Sequence, residues 1–119
     1  MKLAFFGIVP LAFLVAIAQG KESSPNCSEA SGYATSMAFT YLKNAGLLTN
    51  ETTIFSKTAI VRIASEMIAE DLYRQVHRVS FVKNSGEKVE VITVNDVSHE
   101  ECSMSGVDVF VVSKHLGGR

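Results

Sequence analysis

The sequence predicts an α+β domain: two N-terminal helices packed on one face of a three-stranded antiparallel meander, with a short candidate fourth strand and one disulfide. Three observations predict it. Apolar residues recur at three- and four-residue spacing over Ala30–Ala45 and again over Ile60–Leu72, the pattern of helices with one buried face. After Val76 the period changes to two, and β-branched runs are broken by an Asn-Ser-Gly turn. Strands and helices do not alternate along the chain, which argues against a parallel sheet and a Rossmann-type nucleotide site.

The chain opens with Lys2, an apolar run over Leu3–Ile17, and Ala16-Ile17-Ala18. These are the three regions of a cleaved export signal, here residues 1–18. The run is short for a membrane span and carries Pro10 in its middle, so no span is expected after cleavage. Residues 19–26 are polar and read as a flexible arm. Residues 27–116 form one domain, and 117–119 form a Gly-Gly-Arg tail. The formal charge of −1 becomes one unit more negative when Lys2 leaves with the signal. A near-neutral chain with singly spread basic residues lacks the footprint of a nucleic-acid partner or an anionic membrane surface.

Two cysteines remain, Cys27 and Cys102. In an oxidising compartment they are expected to pair, closing a loop over most of the domain. No CxxC or HxxxH spacing accompanies them, so a metal site is not implied.

The elements follow in order. Ser28 is a candidate N-cap with Glu29 in the first turn, and Ala30, Tyr33, Ala34, Met37, Ala38, Tyr41, Leu42 and Ala45 make one helical face that stops at Gly46. The small Ala30, Ala34 and Ala38 permit close approach of another backbone. Phe39 lies on the opposite side, as a candidate partner contact or an ordinary satellite of the core. Thr49–Thr53 is dense in turn residues, and Thr53–Phe55 is the candidate fourth strand. Ser56 caps an expected second helix over 57–76, with Met67 facing the core. Asp71 interrupts its apolar face, and Asp71, Arg74 and His77 form a candidate polar cluster at its end. Val79–Val82 and Val89–Val94, joined through Asn84-Ser85-Gly86, make a hairpin. A polar connection follows over Asn95–Gly106, and Val107–Val112 is the last strand.

Chemistry-bearing motifs are sparse. There is no GxxxxGK[ST] or GxGxxG, and no cofactor is expected. Asp96, His99, Glu100 and Glu101 lack the spacing and central glycine of an EF-hand loop and read as a solvated contact surface. Ser103 and Ser105 lie near His99 without a G-x-S-x-G elbow. His77, His99 and His115 are scattered along the chain. Asn26-Cys27-Ser28 and Asn50-Glu51-Thr52 match the glycosylation triplet.

A cleaved signal, an early helix, an antiparallel sheet and a long-range disulfide together resemble periplasmic immunity proteins and secreted enzyme inhibitors. A helix running into a hairpin is also similar to the cystatin layout. Gln75-Val76-His77-Arg78-Val79 departs from that family's Q-x-V-x-G loop at its glycine, so no residue is carried over. The expectation is a small exported, non-enzymatic binding protein with a protein partner, touching it through Phe39, Asp96, His99, Glu100 or Glu101. The alternatives are a small secreted hydrolase using His99 with a carboxylate, or a subunit of an exported assembly.

Overall fold

Residues 57–76, expected as a helix, form most of a long β-hairpin instead. The computed structural model describes residues 23–112. The signal segment, residues 19–22, and residues 113–119 with His115 lie outside that range. The order is a helix α1 (Tyr33–Asn44), a 3-10 turn (Phe55–Lys57), then strands β1 (Ala59–Ala69), β2 (Leu72–Val82), β3 (Lys88–Val97) and β4 (Asp108–Val112). The sheet order is β1-β2-β3-β4 with every pairing antiparallel. The described chain therefore has one helix and four strands. The fourth strand is not Thr53–Phe55, where only Thr53 makes an isolated bridge to Lys83.

The helix expectation failed for a physical reason. Thr58, Ile60, Val61 and Ile63 are β-branched and favour extended backbone. On β1, Ile60 opposes Val79 and Met67 opposes Tyr73, with register shifts between Arg62 and Ala64 and between Met67 and Ala69. The first irregularity lets Ile60 and Met67 face the same side although they lie an odd number of residues apart. That interval imitates two turns of helix. β1 is also an edge strand exposed along most of its length, so burial imposes no clean alternation on it. Met67, expected in the core, is 60% exposed. The chain reverses at Glu70-Asp71, where Asp71 takes φ 48°, a left-handed conformation that Asp tolerates better than most residues.

The helix α1 begins later than Ser28. A turn closes from Gly32 N–H to the Glu29 carbonyl, Thr35 Oγ1 donates to the same carbonyl, and α1 starts at Tyr33. Its end follows the sequence closely. Gly46 at φ 80° donates to Lys43 and Leu47 donates to Leu42, a Schellman closure. Ala34, Ala38 and Leu42 are buried. The small alanine at 38 lets the helix sit down on Val79, Phe81 and Val91, with Leu48 closing the cluster. Phe39 lies beside this core, edge-to-face with Phe55 at 5.0 Å between ring centroids and 5.9 Å from Phe81. It is a satellite of the core.

The inner faces of β2 and β3 read as three bands. Phe81, Val79 and Val91 make an apolar band under α1. Next come two polar rows, His77 opposite Thr93 and Gln75 opposite Asn95, all buried. Tyr73 and Val97 make a second apolar band, packed on the Cys27–Cys102 disulfide. The helix covers the first band. Residues 25–28 lie over the others, where Gln75 Nε2 donates to the Pro25 carbonyl at 2.9 Å and Arg62 donates to it at 3.1 Å. The part of the arm seen here, with Pro25 buried, is tied to the sheet rather than loose.

Candidate functional site

At the end of the sheet away from the Asn84–Gly86 turn, three segments distant in sequence lie together: residues 23–27, the hairpin tip at 67–72, and the loop at 98–106. The disulfide joins the first to the third, with Cα atoms 5.7 Å apart. His99 joins all three. Its main-chain N–H donates to Asp71 Oδ1 at 3.1 Å, its Nδ1 lies 2.6 Å from the same oxygen, and its Nε2 lies 2.9 Å from the Ser23 carbonyl. A carboxylate and a carbonyl are both acceptors, so each ring nitrogen of His99 faces an acceptor. The ring also stands edge-on to Tyr73, 5.3 Å between centroids.

These contacts hold the Asp71 carboxyl below its ordinary value of 3.8. The His99 side-chain hydrogen bond is the main cause and its main-chain N–H comes next. Because the folded value is depressed, the pair's contribution is present at neutral pH and is lost as pH falls through that value. In an NMR titration the Asp71 carboxyl should have its midpoint below 3.8, and His99→Ala should return it toward 3.8. An unchanged midpoint in His99→Ala would show that the contact does not persist in solution.

The loop is braced from within. Ser98 Oγ accepts from the N–H groups of Glu100 and Glu101, Asn95 Nδ2 donates to the Cys102 carbonyl, and Ser105 Oγ accepts from Asp96 N–H. Tyr33 Oη donates to the Ser105 carbonyl, tying α1 to the loop. Arg74 meets Asp96 with two parallel bonds, Nε to Oδ1 at 2.9 Å and Nη2 to Oδ2 at 3.2 Å. Asp96 accordingly raises Arg74 further above its ordinary value.

Asp71, Arg74 and His77 do not form one cluster. Strand alternation sends Arg74 to the outer face and His77 to the inner one, while Asp71 sits in the turn. Arg74 bonds to Asp96, His77 to Ser28 and Asp71 to His99. The acidic loop residues also part company. Asp96 goes to Arg74, His99 to Asp71, and Glu101 accepts from Ser103 Oγ. Among the described residues no three His, Cys, Asp or Glu side chains gather to hold a metal ion. The residues that sequence reasoning missed are Pro25, Ser28, Arg62 and Gln75, which pin the arm. Pro25, two residues before Cys27, was the available signal, since a proline fixes its own φ and biases the residue before it toward extended backbone.

Gln75–Val79 lies inside β2, and the hairpin tip is Glu70-Asp71. The residues compared with the cystatin loop therefore do not form a loop in this chain. No protein-family model, characterised protein or solved structure matches the sequence. Among the described residues no helix is long and apolar enough to cross a membrane.

Proposed function

We propose that this is a small exported binding protein, of the inhibitor or immunity-factor kind, which engages a protein partner with the three-segment end of its sheet. The observation that carries the reading is the bracing of that end. Residues 23–27, 67–72 and 98–106 are joined by a disulfide and by His99, yet the end presents Met67, Ile68 and Met104 to solvent. Exposed apolar side chains on a rigid frame are the ordinary composition of a recognition surface, because little ordering entropy remains to be lost on binding. The cross-linked cysteines agree with an oxidising destination.

The test is quantitative recovery of a partner from the exported compartment by wild type and by Met67→Glu/Ile68→Glu. A protein held by wild type, lost by the double variant and retained by Phe110→Glu on the sheet's outer face supports the reading. Equal recovery by all three, or none by any, removes it.

One observation favours a second reading. The short Asp71–His99 bond orients an imidazole as the acid of a catalytic triad does. Against it, His99 Nε2 is engaged by a main-chain carbonyl where a nucleophilic hydroxyl would be needed. Turnover of esters or amides that disappears in His99→Ala would displace the binding reading.

A further inference from the structure

Among the described residues no helix lies on the outer face of the sheet, and its side chains can be read off row by row. The rows, from β1 to β4, are Ala59, Ser80, Glu90, Val112; then Val61, Arg78, Ile92, Phe110; then Ala64, Val76, Val94, Asp108; and then Glu66, Arg74, Asp96. The first three rows are mostly apolar across all four strands, broken by Ser80, Glu90, Arg78 and Asp108, with Val61 62% and Phe110 56% exposed. Near their middle stands Arg78, exposed and with no ion pair among the described residues, whereas Arg74, two rows and four residues away, is fully engaged by Asp96. Within these four rows the cations are on β2; Lys88 on β3, opposite Val82, lies in the row beyond. The acids are Glu90 and Asp96 on β3, Asp108 on β4, and Glu66 on β1 beside Arg74.

From this pattern we infer that the outer face is the interface of a homodimer, whose two-fold axis runs parallel to the strands between β2 and β3. That axis lays β2 of one copy over β3 of the other. Arg74 then faces the second copy's Asp96, and Arg78 stands over its Ile92, one row from its Glu90. An axis across the strands instead lays β2 over β2 and β3 over β3, basic strand on basic and acidic on acidic, so the charges favour the first arrangement. Identical surfaces joined by a two-fold must complement themselves, and basic strand over acidic strand does so. The second copy also supplies the missing layer of a sandwich, since one sheet packs on another at about 10 Å. The three rows measure roughly 19 Å by 20 Å from strand spacing and rise, the charged fourth row extends the face to roughly 27 Å, and side-chain relief brings its area toward the ~800 Å² per partner of a standard interface. One juxtaposition is unfavourable: Glu66 on β1 approaches the second copy's Asp108. These carboxylates lie at a corner, where the ~30° crossing of aligned sheets opens the packing to water.

This surface is separate from the three-segment end, and the two can be disproved separately. Sedimentation equilibrium of the exported chain, from low micromolar to sub-millimolar concentration, reads the dimer directly. Wild type should dimerise with concentration. Arg78→Glu should weaken association by about tenfold or more, by bringing a carboxylate within one row of the second copy's Glu90. Glu66→Lys should tighten it, because the corner repulsion becomes an attraction, an effect that general damage to the fold would not produce. A monomer at every concentration overturns the inference. So does a dimer indifferent to both substitutions.

Discussion

Replacing Cys27 and Cys102 by serine is expected to lower the free energy of unfolding by about 4 kcal/mol. The cysteines are separated by 75 residues, so the bond closes nearly the whole described domain into a loop. In the chain-entropy account, a loop of that size stabilises by restricting the unfolded ensemble by about that amount. The native-state effect acts in the same direction. The disulfide packs on Tyr73 and Val97, and it anchors the segment whose Pro25 carbonyl accepts from Gln75 and Arg62. Without the anchor, opening of residues 23–28 would admit water to the buried rows of Gln75, His77, Thr93 and Asn95. Urea unfolding of the double variant beside wild type measures this, and a larger m-value is expected because the reduced chain exposes more surface when unfolded. A loss below about 1 kcal/mol would mean that hydrogen bonds alone close the end of the sheet and that the unfolded chain stays compact.

That anchor was legible in the sequence and the strand it protects was not. The cysteine pairing followed from the expected export signal and an even count, and the Val79–Val94 hairpin followed from alternation around Asn84-Ser85-Gly86. Both strands of that hairpin are central, and along them buried inner residues alternate with partly or fully exposed outer ones. Where one face is buried and the register unbroken, period two is enforced. β1 has neither property. It is an edge strand with two register shifts, and its apolar residues lie on both faces. The wheel therefore found a helical stripe where there was a bulged strand. The candidate site suffered from the same error. Asp71, Arg74 and His77 share a helical face only if a helix exists. On a strand, Arg74 and His77 must point to opposite sides. What the sequence could not carry at all was the convergence of Ser23, Asp71 and His99, because nothing local encodes a contact between a turn, a loop and an arm.

His77→Ala is expected to cost about 3 kcal/mol near neutral pH, and its cost should shrink in mild acid. The side chain is fully buried between Ser28 and the paired strand, and its Nε2 shares a hydrogen bond with Ser28 Oγ at 2.9 Å. Truncation leaves a cavity and removes that bond, which together set the magnitude. The pH dependence follows from charge. Burial lowers the His77 value from its ordinary 6.5, and the Arg62 guanidinium lowers it further. Below 6.5 the unfolded chain therefore takes up a proton that the folded chain refuses. The folded state loses stability on that account as pH falls, by up to ~1.4 kcal/mol per pH unit until the lowered folded value is reached. His77→Ala lacks this penalty. Its stability curve should converge on the wild-type curve from pH 7 toward pH 5. Subtracting the two curves isolates His77, since His99 is present in both and Asp71 titrates below 3.8. Parallel curves would show that His77 accepts a proton in place, with Gln75, Thr93 and Asn95 reorganising around the charge. The buried polar rows would then be a soft part of the core, and the arm over them would be held chiefly by Cys27.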